Sequence, residues 1–299
     1  MKSKRALPSK TKYPTPPFPR QHQNAPGLES KLDPAPLWRG RNYRPAGKLQ
    51  DRVALITGGD SGIGRAVAFF FAREGADVAI GYLRQEQSDA VVVQQAVEAL
   101  GRTCLLLPTD LTEPNAAEEL VRATIKTFGK LDIVVSNAAH QARKSTLEKV
   151  DDAELAKTFE TNVYGYVRLV RAALPHLKPG AAVIATSSET GILGAERLPD
   201  YSSTKGAINA LTKTMAMDLI EKGIRVNAVA PGPVWTPLNP SDAGASAKKV
   251  SRFGLQSPMG RPAQPEELAP AYVFLASNAD SSYITGTIIQ VMGGETTGG

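Results

Sequence analysis

The chain of 299 residues is 42% hydrophobic, enough apolar material for one domain with a large core. It holds no apolar run of the ~18 residues that a membrane-crossing helix needs, and its one cysteine, Cys104, excludes an intramolecular disulfide and suits a reducing, cytoplasmic setting. The net charge of +6 is unevenly placed: residues 1–47 carry ten Lys and Arg against Glu29 and Asp33, a net of +8, which leaves residues 48–299 at −2.

Those first 47 residues also hold nine prolines. Such a segment buries little apolar surface of its own and is expected to be irregular or extended. A basic tail can contact nucleic acid or an anionic membrane, but neither is expected here. Phe18, Leu37, Trp38 and Tyr43 are bulky anchors, and the expected role is to wrap a neighbouring subunit. Lys2, Lys4 and Arg5 are followed by no apolar stretch, so no secretory signal is expected.

Beyond residue 47, strand and helix patterns alternate. Strands are expected over 53–57, 77–82, 103–107, 131–135, 181–187 and 224–229, and near 286–291. Helices are expected over 62–74, 86–100, 114–128, 152–176, 201–222 and 265–277, with a loop and lid over 231–263. The pattern predicts an α/β fold: a doubly wound, Rossmann-like parallel sheet of seven strands in one domain, residues 48–299, preceded by an extension, residues 1–47. Ligands of such sheets bind beyond the carboxyl ends of the strands.

Two motifs carry chemistry. In VALITGGDSGIGRAVAFFFAREGA, residues 53–76, an apolar strand runs into Gly58, Gly62 and Gly64 and then into an apolar-periodic helix. Glycines on such a turn let a ligand approach the backbone, and the helix N-terminus offers N–H groups to a pyrophosphate. The spacing is G-x-x-x-G-x-G. Far downstream, Tyr201 and Lys205 stand four residues apart on an expected helix, so they share a face. An ammonium beside a phenol favours phenolate and lowers its pKa, which equips the tyrosine to exchange protons with an alcohol or carbonyl oxygen. The histidines, His22, His140 and His176, have no metal-ligand spacing.

TGGDSGIG at 57–64, SNAA at 136–139, Asn162 in ETNVYG, Ser188 in ATSSETG, YSSTK at 201–205 and the Pro-Gly pair at 231–232 together resemble the short-chain dehydrogenase/reductase family over roughly residues 48–295. The extension and the wording of several motifs are similar to a branch of bacterial general-stress oxidoreductases and plant glucose and ribitol dehydrogenase homologues. The resemblance implies a hydride transfer between NAD or NADP and an alcohol or carbonyl substrate. It implies Tyr201 as general acid and base, Lys205 holding the nicotinamide ribose, Ser188 on the substrate oxygen, and Asn162 anchoring a water. Ser187 is the rival of Ser188, and the thirteen-residue separation from Tyr201 favours Ser188. His140, Glu189 and Arg197 are candidates to face the substrate.

The same resemblance places the cofactor against Gly58, Asp60, Ser61, Gly62, Ile63 and Gly64, then Asp110 and Leu111, then Asn137, Ala138 and Ala139, and finally Pro231, Gly232, Val234 and Thr236. Asp110 would accept from the adenine amino group, with a turn-capping aspartate as the plainer reading. At the end of the second strand Tyr82 stands where NAD-users generally carry an acid. Arg84 suits a 2′-phosphate whereas Asp60 would repel one, so NAD and NADP both stay open. The family also implies a homotetramer packed through the helices around 152–176 and 201–222, where Ala210, Leu211, Met215 and Met217 offer apolar faces. The alternative functions are a non-catalytic dinucleotide sensor and an interaction protein acting through the tail.

Overall fold

The computed structural model of the protein describes residues 13–296, so Lys2, Lys4 and Arg5 of the basic tail lie outside the described residues. Seven strands form one sheet: β1 (Val53–Thr57), β2 (Asp77–Tyr82), β3 (Cys104–Pro108), β4 (Ile133–Ser136), β5 (Ala182–Thr186), β6 (Arg225–Pro231) and β7 (Ile288–Val291). Their order is β3-β2-β1-β4-β5-β6-β7, and every neighbouring pair is parallel. The chain winds outward from β1 to β3, returns to β4 beside β1, and winds outward again. That reversal opens a crevice above the carboxyl ends of β1 and β4.

The apolar runs VALIT and AVIAT are buried at every position because helices cover both faces of the sheet. Side-chain alternation assigns the faces. Ala54 and Ile56 join a cluster with α1 (Gly62–Arg73), α2 (Gln87–Glu98) and the later helix Pro265–Ala276. Leu55 joins the opposite cluster with α3 (Ala116–Phe128) and residues from the helices before β5 and β6.

The expected helix over 152–176 is α4 (Asp152–Phe159) and α5 (Gly165–Ala173) joined through a π-helical turn, Glu160–Tyr164. That insertion places Asn162 inside a widened turn, a feature common at functional sites. A short α6 (Thr190–Leu193) precedes α7 (Pro199–Leu219), and α8 (Ala247–Ser251) lies within the expected lid. Then come α9 (Pro265–Ala276), closed at its start by a reciprocal Gln264–Glu267 capping box, and α10 (Asn278–Ser281).

The extension departs from expectation. Its described residues have almost no regular structure beyond Glu29–Lys31, yet the anchors are spent on the same chain. Trp38 packs edge-on to Phe69 of α1 at 5.1 Å and belongs to the main core cluster. Phe18 lies 4.4 Å from Trp235, whose Nε1 donates to Pro34 O at 2.8 Å. Tyr43 hydroxyl bonds Glu74, and Arg73 donates to the carbonyls of Arg39, Gly40 and Tyr43. A polar segment can leave its own backbone irregular when the folded domain supplies the partners. Phe18, Trp38 and Tyr43, three of the four expected anchors, thus pack on their own chain.

Candidate active site

The glycine turn between β1 and α1 is built by close packing. A Cβ at Gly64 would stand 1.9 Å from Gly58 O, so helix and strand could not meet with any larger residue there. Gly64 is thus behind the turn, while Gly58, Asp60, Ser61, Gly62 and Ile63 line the adjoining cavity of about 710 Å³. The first helical N–H, that of Gly62, is already taken: it donates to Glu29 Oε2 from the extension.

Asn137, just past β4, stitches the crevice. Its Nδ2 donates to Thr57 O at 3.1 Å and Gly58 O at 3.0 Å, and its Oδ1 accepts from Thr186 Oγ1 at 3.1 Å. Its backbone N–H donates to Thr57 Oγ1 at 3.0 Å. Three strand ends therefore converge on one amide side chain. Asn137, Ala138 and Ala139 all line the cavity, as do Leu111, Asp110, Pro231, Gly232, Val234 and Thr236. Asp110 Oδ1 also accepts from Thr112 N and Oγ1 at 2.9 and 2.8 Å, the turn-capping arrangement.

At the end of β2, Tyr82 lines the cavity and donates to Gln87 Oε1 at 2.6 Å. Arg84 does not: it is exposed and absent from the cavity wall, whereas Glu86, two residues on, forms part of that wall together with Asp60. The sequence reading missed Glu86, whose signal was its position on the turn after β2. Burial raises the pKa of both carboxyls, and the Asp60 charge raises that of Glu86 further. Asp60 Oδ2 is buried without a hydrogen-bond partner.

The catalytic candidates converge past β5. Tyr201 and Lys205, one turn apart on α7, are 8% and 1% exposed. The Ser188 hydroxyl oxygen accepts from Thr190 N and Thr190 Oγ1, each at 3.1 Å. Both of these bonds use the Ser188 oxygen as acceptor, and hydrogen bonding with Ser188 lowers the Tyr201 pKa. Thr190 escaped the sequence reading because its role depends on α6. Ser187 is occupied differently, donating to Asn209 Oδ1 at 2.6 Å. Asn162 accepts from His140 N at 2.7 Å and donates to His140 O and Thr204 Oγ1, each at 3.0 Å. It braces the site from behind the cavity wall. His140 lines the cavity and pairs with Glu154. Glu189 lines it as well, and burial pushes its carboxyl up to about 7. Arg197 is exposed and donates to Lys144 O.

The electrostatics differ from the sequence expectation. Lys205 Nζ donates to Thr186 O at 2.7 Å and sits 5.3 Å from the Tyr201 ring centre. Burial pushes Lys205 down to about 7 and Tyr201 up to about 12, against the lowering effect of Ser188. Desolvation disfavours the charged form of both groups, and it is the largest cause for each. Between pH about 7 and the ordinary lysine value of 10.5, the unfolded chain binds a proton that the folded chain lacks. Lys205 therefore makes stability rise with pH across that window, by up to about 1.4 kcal/mol per unit. Denaturant unfolding at pH 7 to 10 should show this slope reduced in Lys205→Met; an unchanged slope would place the Lys205 pKa elsewhere.

The donor and acceptor set, the glycine cradle and the cavity of about 710 Å³ fit a dinucleotide. The family model described as Enoyl-(Acyl carrier protein) reductase matches residues 58–296. The chain is 52% identical over 275 residues to the uncharacterized oxidoreductase YhdF of Bacillus subtilis, covering 92% of this chain and 94% of that one. It is 44% identical to NADPH-dependent aldehyde reductase 1, chloroplastic, of Arabidopsis thaliana, covering 92% and 97%. Among solved structures, a short chain dehydrogenase from Burkholderia cenocepacia in complex with NADP matches with a TM-score of 0.75 at 31% identity, over 83% of this chain and 98% of that one. Matched along nearly its whole folded length in sequence and in structure, the chain belongs to the short-chain dehydrogenase/reductase family of NAD(P)-using oxidoreductases.

Proposed function

We propose that residues 48–299 form an NAD(P)-dependent alcohol dehydrogenase or carbonyl reductase centred on Tyr201. The observation that carries this reading is that Ser188, Tyr201 and Lys205 line the same cavity as the glycine turn, with Lys205 Nζ 5.3 Å from the Tyr201 ring centre. The nicotinamide would supply or take the hydride. In the reducing direction the substrate oxygen gains negative charge as its carbon gains hydride. Ser188 would turn its one O–H toward that oxygen and donate to it, and the Tyr201 O–H would give it a proton. A hydroxyl held protonated by burial is suited to the acid role. Lys205, pushed by burial down to about 7, would return the proton, and Asn162 would hold the backbone of His140. In the oxidising direction the same protons move backwards.

Two finer readings go with it. Asp60 on the turn after β1 and Glu86 on the turn after β2, both on the cavity wall with Arg84 off it, favour NAD(H). A carboxyl accepts the ribose hydroxyls, and a 2′-phosphate would add negative charge beside two carboxyls whose pKa values burial already raises, that of Glu86 further by the Asp60 charge. The exposed Met217, Ile220 and Tyr164 on and beside α5 and α7 support the family's tetramer. The lone Cys104, buried with its thiol at about 12, agrees with a reducing compartment such as the cytoplasm.

Tyr201→Phe should keep nucleotide binding, read by nicotinamide fluorescence, and lose about 10²- to 10⁴-fold in kcat across a panel of aldehydes and ketones. Full activity in that variant would remove Tyr201 from the chemistry. Wild-type kcat/KM should favour NADH, and Glu86→Gln should shift the NADPH/NADH ratio toward NADPH by about tenfold, some 1.4 kcal/mol; a wild-type preference for NADPH would overturn the acidic-rim reading. Light scattering should give the mass of four chains, and a single-chain mass would dismiss the tetramer.

A further inference from the structure

The extension also runs along the cavity. Between the Phe18 and Trp38 anchors, Ala25, Pro26 and Gly27 form part of its wall. This stretch is tied on both sides. Toward the lid, Gln23 N donates to Pro240 O at 2.9 Å. Gly27 lies so close that a Cβ would stand 2.9 Å from Pro237 O and 3.0 Å from Ser241 Cβ. Toward the sheet, Glu29 accepts the Gly62 N–H and pairs with Arg65 at 2.9 Å. Asp89 accepts from Glu29 N at 2.6 Å and Ser30 N at 3.3 Å, and faces the same guanidinium at 3.4 Å.

Glu29, Arg65 and Asp89 are 3%, 4% and 1% exposed. Buried ion groups of this kind contribute little net stability and serve better to hold one arrangement. What they hold is the Pro26–Gly27 segment opposite the glycine turn. Thr236 marks the same place from the lid, since a Cβ on Gly62 would meet its Cγ2 at 2.9 Å. The Burkholderia neighbour is matched over 98% of its length by 83% of this chain, which leaves about one-sixth of this chain without a counterpart there. The relative YhdF, by contrast, aligns with 92% of this chain.

We propose that residues 25–29 are a built-in wall of the dinucleotide site on its pyrophosphate side, with Glu29 as the positioning residue that keeps Pro26 and Gly27 against the bound nucleotide. This rests on the dinucleotide reading of the cavity given above. A strap that closes one side of a site slows release of what is bound there, and the bound molecule in turn suppresses local opening of the strap.

The test uses the full chain. NADH and NADPH are first titrated into wild type by nicotinamide fluorescence. If neither binds, the dinucleotide reading falls and this proposal with it. Trypsin is then applied with and without the nucleotide that binds more tightly. Arg20 and Lys31 are exposed and flank the strap, while Leu32 beyond the second bond is buried, so cleavage after Lys31 requires local opening. Saturating nucleotide should slow that cleavage at least tenfold. Gly27→Val, whose side chain has no room beside Pro237, should raise Kd about tenfold and speed nucleotide dissociation, with a melting temperature close to wild type. Should this variant not fold, protection of the wild-type strap decides alone. Nucleotide that binds well but leaves cleavage after Lys31 unchanged overturns the strap proposal and leaves the dinucleotide reading standing.

Discussion

The site depends on how three parallel strand ends are held apart yet locked together. Asn137 bonds the carbonyls past β1, accepts from Thr186 at the end of β5, and extends β4. The Thr186 hydroxyl passes the network on to the Tyr272 hydroxyl of α9 at 2.7 Å. A parallel sheet leaves the backbone groups at its carboxyl edge without ladder partners, and buried polar groups must find some. Here one amide meets that need at the reversal of strand order. The glycine turn, Ser188 and Tyr201 all line the crevice it braces.

Desolvation governs what lies in that crevice. The same burial that raises Tyr201 lowers Lys205 and lifts Glu189, so these three groups favour their neutral forms. Such a site is poised to respond to charge that arrives with ligands or develops during reaction, because charge is poorly screened there. The Thr190 pair of hydrogen bonds to Ser188 illustrates preorganisation: the acceptor capacity of one hydroxyl is used up in advance.

The extension shows where one-dimensional reading stops. Phe18, Trp38 and Tyr43 stand out in a polar, proline-rich stretch as anchors, but composition says nothing of which surface they find. The fold gives them Trp235, Phe69 and Glu74 of the same chain. Glu29, one of two acids in a basic tail, looked incidental in the sequence. In the structure it meets α1 at its first N–H. Arg84 and Glu86 form the complementary case. The two lie on the same short turn, and only the path of the chain decides which of them shares a wall with Asp60.

Hydrophobic period, glycine placement and motif spacing determined the layered α/β architecture and its seven parallel strands, since these depend on local side-chain alternation and on short-range connection rules that survive in one dimension. They also marked Tyr201, Lys205 and the glycine turn, whose residues are close in sequence or repeat a known spacing. The π-helical turn around Asn162, the Thr190 clamp on Ser188, the acidic rim at Glu86 and the cis docking of residues 13–47 were decided by tertiary structure alone. Each is a contact between segments distant in the chain, or a local distortion stabilised by such contacts. Burial, likewise set only in three dimensions, turned the expected depression of the Tyr201 pKa into a rise.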